Sequence, residues 1–396
     1  MTKYKAYKYR LYPTPQQKLL IAKHFGCCRW VYNYALNKKI TAYQTNKQTL
    51  SRYDISADLP ILKKQQETCW LKEVNSLSLQ AALINLDSAY QKFFKGGGFP
   101  KFKSKKDNRQ SFTIPQNTVV NFDTNRVSIP KFKEGIKARL HRSFKGTVKS
   151  STITRTSSNK YFISILVEVD KPDTPKKPIS ESKAVGIDLG VKTFAVLSDG
   201  TEIPNHKFLR ESIDRLKRAQ RLHSKKTKGS NNRWKSRVRL ARMHEHVANQ
   251  RRDFINKAVH FLVTHYGTIC LETLNVKGMV KNHHLAQSIE DVSFGMFNEL
   301  LEQKADEYGV NILRIGRFEP SSRMCTCGYV NHELTLSDRE WTCPKCGAHH
   351  DRDLLAANNI KRFAFRNIHT AGTAGINACG DMITSLDGSA QEAPSL

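Results

Sequence analysis

Lys183-Ala-Val-Gly-Ile-Asp-Leu-Gly-Val191 is the stretch of sequence that decides the fold of the second half of the chain. It has the pattern of a buried strand with one acidic residue, Asp188, among apolar ones. The alternating Thr193-Phe-Ala-Val-Leu, the turn at Ser198-Asp-Gly and Thr201-Glu-Ile then predict a hairpin. An ionised carboxylate is costly to bury unless a cation meets it, and a divalent metal ion is a common solution. The alternative is a strand-end aspartate that caps a turn.

Two further acids fall at the ends of predicted elements. Glu272 closes the apolar run Gly267-Thr-Ile-Cys-Leu-Glu, and Asp353 opens an apparent helix that continues through Leu354-Leu-Ala-Ala. The order of the three acids resembles that of RNase H-like nucleases of the RuvC type. In that order, an Asp lies on a first strand, a Glu at the end of a later strand and an Asp at the start of a late helix. That resemblance implies that Asp188, Glu272 and Asp353 are catalytic. It also implies that they hold two Mg²⁺ (or Mn²⁺) ions about 3.5 to 4 Å apart.

Composition points to a nucleic-acid partner. The 396 residues include 65 Lys and Arg against 35 Asp and Glu, which gives a net charge of +30. So large a surplus repels itself unless a polyanion neutralises it, so nucleic acid is the leading partner and an anionic membrane a distant second. The sequence has no apolar run of about 18 residues that could span a bilayer, and no signal-peptide core follows Met1. We therefore expect no membrane association and a cytoplasmic, nucleoid-associated protein.

Four of the nine cysteines are concentrated in one segment, in two pairs separated by fifteen residues: Cys325 with Cys327, and Cys343 with Cys346. These pairs are typical of the two knuckles of a zinc ribbon, in which four thiolates hold one structural Zn²⁺. The first pair is one residue tighter than the usual knuckle. His349 and His350 are alternative ligands, although beside an acidic motif histidines are more often neighbours of the metal ligands or groups that face phosphate. The simplest alternative is four incidental cysteines without metal.

The first half of the chain predicts a barrel with a helical insertion. Lys3-Tyr-Lys-Ala-Tyr alternates as a strand with one buried face, Pro13 ends it, and Thr14 is a candidate N-cap before Pro15. A helical pattern follows to about Phe94, which an ordinary helical core explains equally well. Several short β-type runs then extend to about Asp170 and predict a small antiparallel barrel.

A basic segment and a linker divide the second half. Residues 207–252 contain sixteen Lys or Arg and three acids, which is either a solvated helical face or a surface that contacts phosphates. We favour phosphate contact, with nucleic-acid-binding candidates at Lys217, Arg218, Arg221, Lys225, Lys226, Arg233 and Lys235. Lys171-Pro-Asp-Thr-Pro-Lys-Lys-Pro has the composition of a linker, and residues 371–396 are predicted to be a disordered tail.

Six motifs occur in order across nearly the whole chain: Tyr9-Arg-Leu-Tyr-Pro-Thr-Pro-Gln-Gln, Phe99-Pro-Lys-Phe-Lys, Gly186-Ile-Asp-Leu-Gly, Pro320-Ser-Ser, Cys343-Pro-Lys-Cys-Gly and His350-Asp-Arg-Asp. Together they resemble the TnpB family of RNA-guided DNA nucleases of insertion sequences, related to type V CRISPR effectors. The resemblance implies a multidomain α+β fold. Its predicted parts are a wedge-type β-barrel (1–13 and 97–178), a helical recognition domain (14–96), a RuvC nuclease domain (183–319 and 350–370) and a zinc ribbon (320–349).

The same resemblance implies two partners. One is a guide RNA made from the transposon end, and the other is a double-stranded DNA target beside a short transposon-adjacent motif. By resemblance the helix from Ser76 to Phe94 lies near the duplex, and its Gln80 carries an amide able to pair bidentately with adenine.

Two departures from the family pattern bear on activity. Leu355 stands where the family usually has Asn, and the first cysteine knuckle is shortened. By the family register Asp353 is the metal ligand and Asp351 its neighbour. Two other functions stay open: an RNA-guided DNA-binding regulator that has lost cleavage, and a transposase that acts directly in strand transfer.

Overall fold

The structure is a computed structural model that describes residues 2–107, 110–170, 174–335 and 338–370. The tail predicted at 371–396 lies outside these residues. The chain divides into two units, Met1–Asp173 with Lys226–Arg242, and Thr174–Lys225 with Met243–Leu396. Among the described helices, none is long and apolar enough to cross a membrane.

One antiparallel sheet of seven strands organises the first unit. The strands are β1 to β7, at Thr2–Tyr12, Gln110–Ile114, Val119–Asn121, Arg126–Ile129, Phe132–Arg139, Thr147–Arg155 and Tyr161–Asp170. Their spatial order is β2-β6-β7-β1-β5-β4-β3, so the first strand of the chain lies in the interior of the sheet between β7 and β5. No pairing joins β2 to β3 within the part of the chain that the structure describes, and closure into a barrel therefore stays a prediction.

Four of the helices described in the first unit lie in sequence between β1 and β2. They are α1 to α4, at Pro15–Asn46, Arg52–Ser56, Asp58–Lys64 and Ser76–Phe94, with a 3-10 turn at Cys69–Glu73. Thr14 caps α1 as predicted: its side chain accepts a hydrogen bond from the Gln17 backbone N–H, and the Gln17 side chain accepts from the Thr14 N–H. The apolar faces of the helices and of the sheet form one core.

A five-stranded mixed sheet organises the second unit. Its strands are β8 to β12, at Ala184–Leu189, Thr193–Leu197, Glu202–Pro204, Thr268–Glu272 and Asn311–Ile315. The order is β10-β9-β8-β11-β12; β8, β11 and β12 are parallel, whereas β9 is antiparallel to β8 and to β10. The predicted hairpin after Asp188 is thus confirmed.

The other elements of the described residues are six α-helices, a 3-10 turn at Glu181–Lys183 and one small hairpin. The helices are α5 to α10, at Phe208–Ser224, Asn231–His265, Val276–Met279, His283–Val292, Phe294–Tyr308 and Arg352–Thr370. In the hairpin, β13 (Glu340–Thr342) pairs with β14 (His349–Asp351), which ends two residues beyond the predicted end of the ribbon at 349. Leu355 is buried in the small core of this segment beside Cys325 and Trp341, so the leucine at the family's Asn position attaches α10 to the hairpin.

The segment predicted as a linker is partly attached to the second unit. Lys177 N–H donates to the Gly309 carbonyl at 2.7 Å, and Lys176 pairs with Asp306 at 2.8 Å. Residues 171–173 lie outside the described ranges.

Candidate acidic site and metal centre

The three candidate carboxylates are carried by neighbouring elements. Asp188 is near the end of β8 and Glu272 ends β11, and these parallel strands are paired in a register that sets Ile187 opposite Leu271. Asp353 is the second residue of α10, which packs on β8. Each acid therefore occupies the element end predicted for it, and the side chains of two adjacent strands and one crossing helix approach one another.

Gly186 determines how closely α10 approaches β8. A Cβ at this position would lie 2.0 Å from the Ala357 carbonyl oxygen and 2.8 Å from the Lys361 backbone nitrogen, distances that no side chain tolerates. Glycine is thus required two residues before Asp188 because the helix that carries Asp353 rests directly on the strand backbone.

The pKa of Asp188 depends on the charges of the other two acids. Desolvation by burial, followed by the negative charges of Glu272 and Asp353, raises the pKa of the Asp188 carboxyl to about 7, against a smaller opposite effect of Arg352 and Arg339. Several carboxylates in electrostatic reach of one another disfavour full ionisation unless a cation is present. Carboxylate oxygens are the ligands that hard divalent cations such as Mg²⁺ prefer.

Two of the acids have polar partners that the sequence did not single out. Ser321 Oγ donates a hydrogen bond to Glu272, and Arg339 Nη1 donates to both carboxylate oxygens of Asp353 at 3.1 and 3.3 Å. Ser321 belongs to the Pro320-Ser-Ser motif, which was the available signal for it. No sequence motif indicated Arg339, because its contact with Asp353 depends on the position of the β13–β14 hairpin.

Asp351 has a different role from Asp353. It is the N-cap of α10, where its Oδ1 accepts a hydrogen bond from the Leu354 backbone N–H at 2.8 Å. This contact leaves Asp353, one position inside the helix, as the carboxylate that interacts with Asp188.

A cationic cavity of about 280 Å³ adjoins this site through Arg339. Its other basic lining residues are Lys192, Lys207 and Arg210. The Asp291 carboxylate accepts hydrogen bonds from the backbone N–H groups of Leu209 and Arg210 and from Arg251 Nε, which fixes the first turn of α5 at this cavity. The lining of this cavity therefore contains four basic side chains and one acidic side chain, Asp291.

The four candidate cysteines come together. Cys325 Sγ lies 3.5 Å from Cys346 Sγ, and Cys327 Sγ lies 3.7 Å from Cys343 Sγ. Four sulfurs at about 2.3 Å from a tetrahedral Zn²⁺ would lie roughly 3.8 Å apart, so these distances fit one ion. His350 Nε2 lies 3.1 Å from Cys325 Sγ, which makes this histidine a neighbour of the thiol cluster.

The acidic site is looser than the cysteine cluster. Within the described ranges, the four cysteines alone bring three or more candidate ligand atoms within 4.8 Å of one another. At least two of the three carboxylates are therefore more than 4.8 Å apart, and Asp353 is paired with Arg339 at 3.1 Å.

The basic candidates lie on two segments. On α5, the exposed side chains of Lys217, Arg218 and Arg221 line an open cavity of about 560 Å³ together with Lys225. In the first unit, Lys226 and Lys235 are exposed, whereas Arg233 is half-buried and donates to the Lys226 carbonyl at 2.5 Å. Gln80 is exposed on α4.

Known proteins are similar in sequence to this chain over nearly its full length. Over 383 residues the chain is 38% identical to a protein of Streptomyces pristinaespiralis named "Putative RNA-guided DNA endonuclease", and the match covers 96% of this chain and 92% of that protein. The chain belongs to the TnpB family. A second relative of this TnpB chain, "Putative RNA-guided DNA endonuclease InsQ" of Escherichia coli (strain K12), is 31% identical over 97% of this chain and 96% of its own length.

Family models and a solved structure match parts of the TnpB chain. Residues 164–283 match a model described as "Probable transposase", and residues 294–360 match "Cas12f1-like, TNB domain". Residues 1–48 match a model described as "Helix-turn-helix domain", although in the structure they form β1 and the single long helix α1. The structure titled "Cryo-EM structure of the Cas12f1-sgRNA-target DNA complex" matches 91% of this chain and 99% of its own, with a TM-score of 0.50 and 14% identity, a likeness of fold.

Proposed function

We propose that this TnpB chain is an RNA-guided DNA endonuclease that cuts DNA next to a short transposon-adjacent motif. The observation that carries the proposal is that Asp188, Glu272 and Asp353 lie at the ends of β8, β11 and α10, where burial, followed by the negative charges of the other two acids, raises the pKa of Asp188 to about 7. The names of relatives that match the chain over nearly its full length support the same activity.

The nuclease domain is proposed to be RNase H-like and of the RuvC type. Its support is the five-stranded sheet, in which the two strands that carry Asp188 and Glu272 are adjacent and parallel. Bound to the three carboxylates, two Mg²⁺ or Mn²⁺ ions would activate a water and stabilise the leaving oxygen of the phosphodiester.

The chain's own residues prepare this site. Gly186 sets the approach of Asp353 to Asp188, and Ser321 orients Glu272 by its hydrogen bond. Arg339 neutralises Asp353 while the carboxylate has no other cation. The lysines and arginines of the adjoining cavity attract the phosphates of the strand to be cut.

The cysteine cluster is proposed to be a zinc ribbon with one structural ion. Zinc held by Cys325, Cys327, Cys343 and Cys346 would stabilise the β13–β14 hairpin, whose small core includes Leu355 of α10. The ribbon would thereby help to hold the helix that carries Asp353.

The first unit is proposed to hold the guide RNA and to read the adjacent DNA motif, with the sheet as the wedge-type barrel and α1–α4 as the recognition domain. Gln80 is the proposed reader, since it is exposed on α4 and its amide can pair with adenine. Gln80→Ala should alter the motif preference in a cleavage library, and Gln91→Ala, an exposed glutamine on the same helix, is the matched control. An unchanged preference after Gln80→Ala would remove this assignment.

Purification followed by RNA sequencing tests the proposed function most broadly. RNA derived from a transposon end should copurify, and the complex should cut matching duplex DNA when Mg²⁺ is present. Binding without cleavage would identify a regulator, and strand transfer without RNA would identify a transposase.

A further inference from the structure

Exposed aromatic side chains are grouped at the end of α4 and in the loop that follows it. Phe94 is 78% exposed, Phe102 54% and Phe99 47%. Large apolar side chains that stay together in solvent mark an interaction surface more often than single ones do.

The rings of Tyr90, Phe93, Phe94 and Phe99 form a connected cluster, and Phe102 follows on the same loop as Phe99. Phe99 meets Phe93 and Tyr90 edge-to-face, with ring centroids 5.3 and 5.7 Å apart. Phe94 lies against Phe93 at 5.4 Å and against Tyr90 at 6.3 Å. Phe93 and Tyr90 thus support Phe94 and Phe99, which stay largely exposed to solvent.

The loop after α4, which carries Phe99 and Phe102, is fixed at both ends. At its start, the Gly97 N–H donates to the Lys92 carbonyl at 2.9 Å. At its end, the Asn33 side chain accepts from the Lys103 N–H at 2.8 Å and donates to the Lys103 carbonyl at 2.9 Å. Lys103 Nζ also lies 4.0 Å from the centroid of the Tyr32 ring. A loop held in this way loses little entropy when a ligand binds to it.

The same segment is strongly basic. Residues 92–106 contain six lysines and no acidic residue. A second copy of the chain would bring these lysines against one another in a symmetric contact, which is unfavourable. A polyanion with flat aromatic groups complements both features, because its phosphates pair with the lysines and its bases stack on the rings.

We propose that Phe94, Phe99 and Phe102, with the lysines between residues 92 and 106, form a surface that stacks unpaired bases of the bound RNA. This inference rests on the proposed function for the presence of that RNA. A DNA duplex keeps its bases stacked inside, whereas RNA offers unpaired bases in loops and bulges that stack on aromatic side chains.

The test is the affinity of RNA-stripped full-length protein for a 20-nucleotide oligouridine, measured across a salt series. Phe94→Ala with Phe102→Ala should weaken binding at least about fivefold for each ring removed. Because the lysines remain, the slope of log affinity against log salt should not change. Phe94→Trp with Phe102→Trp should keep the wild-type affinity, because an aromatic ring remains at both positions. The control is Leu19→Ala with Ile61→Ala, at apolar positions 62% and 59% exposed in the same unit, which should also bind with the wild-type affinity.

Crosslinking distinguishes RNA from the other occupants. In the complex that carries copurified RNA, ultraviolet light should join the peptide that spans Phe94–Phe102 to RNA before any target DNA is added. A crosslink to DNA alone would overturn the inference, as would a dimer that the alanine variants dissociate without any loss of RNA affinity.

Failure of the proposed function and failure of the stacking surface would give different results. Wild-type protein that binds no RNA would refute the proposed function and this inference with it. Wild-type and alanine variants that bind RNA equally would refute the stacking surface and leave the proposed function standing.

Discussion

Replacing Gly186 with alanine tests how the acidic site is assembled. The new Cβ would lie 2.0 Å from the Ala357 carbonyl oxygen, whereas real Cβ contacts essentially never fall below 3.0 Å. Strand β8 is paired on both sides, so α10 must move away by at least about 1 Å. Overpacking of this kind costs about 1 to 3 kcal/mol of stability.

The shift should reach catalysis because α10 carries Asp353. A displacement of about 1 Å in a catalytic group can lower a rate on the order of 100-fold. We therefore expect Gly186→Ala to reduce Mg²⁺-dependent cleavage of a matched plasmid by about that factor, with guide RNA still bound. The rate is measured in single turnover, and stability is measured by denaturant unfolding of the same preparation.

Gly295→Ala is the matched control. It lies in α9 of the same unit, and its Cβ would meet nothing within 4 Å. Alanine there should be neutral or stabilise the helix by up to about 1 kcal/mol. Wild-type stability and cleavage by Gly186→Ala would refute the close approach of α10 to β8.

Three further outcomes follow from other parts of the chain. Purified protein should contain one zinc, and Cys343→Ser should lower both the zinc content and the melting temperature; well under one zinc in the wild type would count against the ribbon. For each phosphate that the protein neutralises, the slope of log affinity for duplex DNA against log salt should be steeper by about 0.9. Lys217→Gln with Arg221→Gln should therefore reduce the slope by up to about 2. Lys257→Gln, which removes the partner of Asp253, should leave the slope unchanged. Burial lowers the pKa of His24, so the folded chain disfavours the protonated imidazole. The free energy of unfolding should therefore decrease as the pH drops below about 6.5, and His24→Gln should remove that decrease.

The tautomer of His24 explains the sign of that pH effect. Its Nδ1 lies 2.8 Å from the Leu20 carbonyl, and its Nε2 accepts from the Asn75 N–H at 3.2 Å. A protonated ring would have no acceptor for that N–H, so the folded state requires the neutral form. A pH profile that is identical in wild type and His24→Gln would contradict this reasoning.

The sequence predicted best where local chemistry determines structure. The cap at Thr14 and the acidic residues at the ends of β8, β11 and α10 depend on neighbouring residues, and they are found where predicted. The cysteine cluster depends on spacing, and its four sulfurs do come together.

The sequence predicted least where a feature depends on distant contacts. The predicted β-type runs up to about Asp170 did not include two local irregularities: Gly135 has a positive φ within β5, and a register shift between Val148 and Ser150 interrupts the pairing of β6 with β7. The ion pair of Arg339 with Asp353 was also missed, because it joins two residues through the fold of a hairpin.

The most direct test compares cleavage by alanine variants at Asp353 and Asp351 in RNA-loaded protein with Mg²⁺. Asp353→Ala should abolish cleavage, as should Asp188→Ala and Glu272→Ala, while guide and target remain bound through the basic surfaces. Asp351→Ala should keep most of the activity and lose about 1 kcal/mol of stability, since it removes only the cap of α10. Equal loss from Asp351→Ala and Asp353→Ala, or full cleavage by Asp353→Ala, would contradict the assignment of the acidic site.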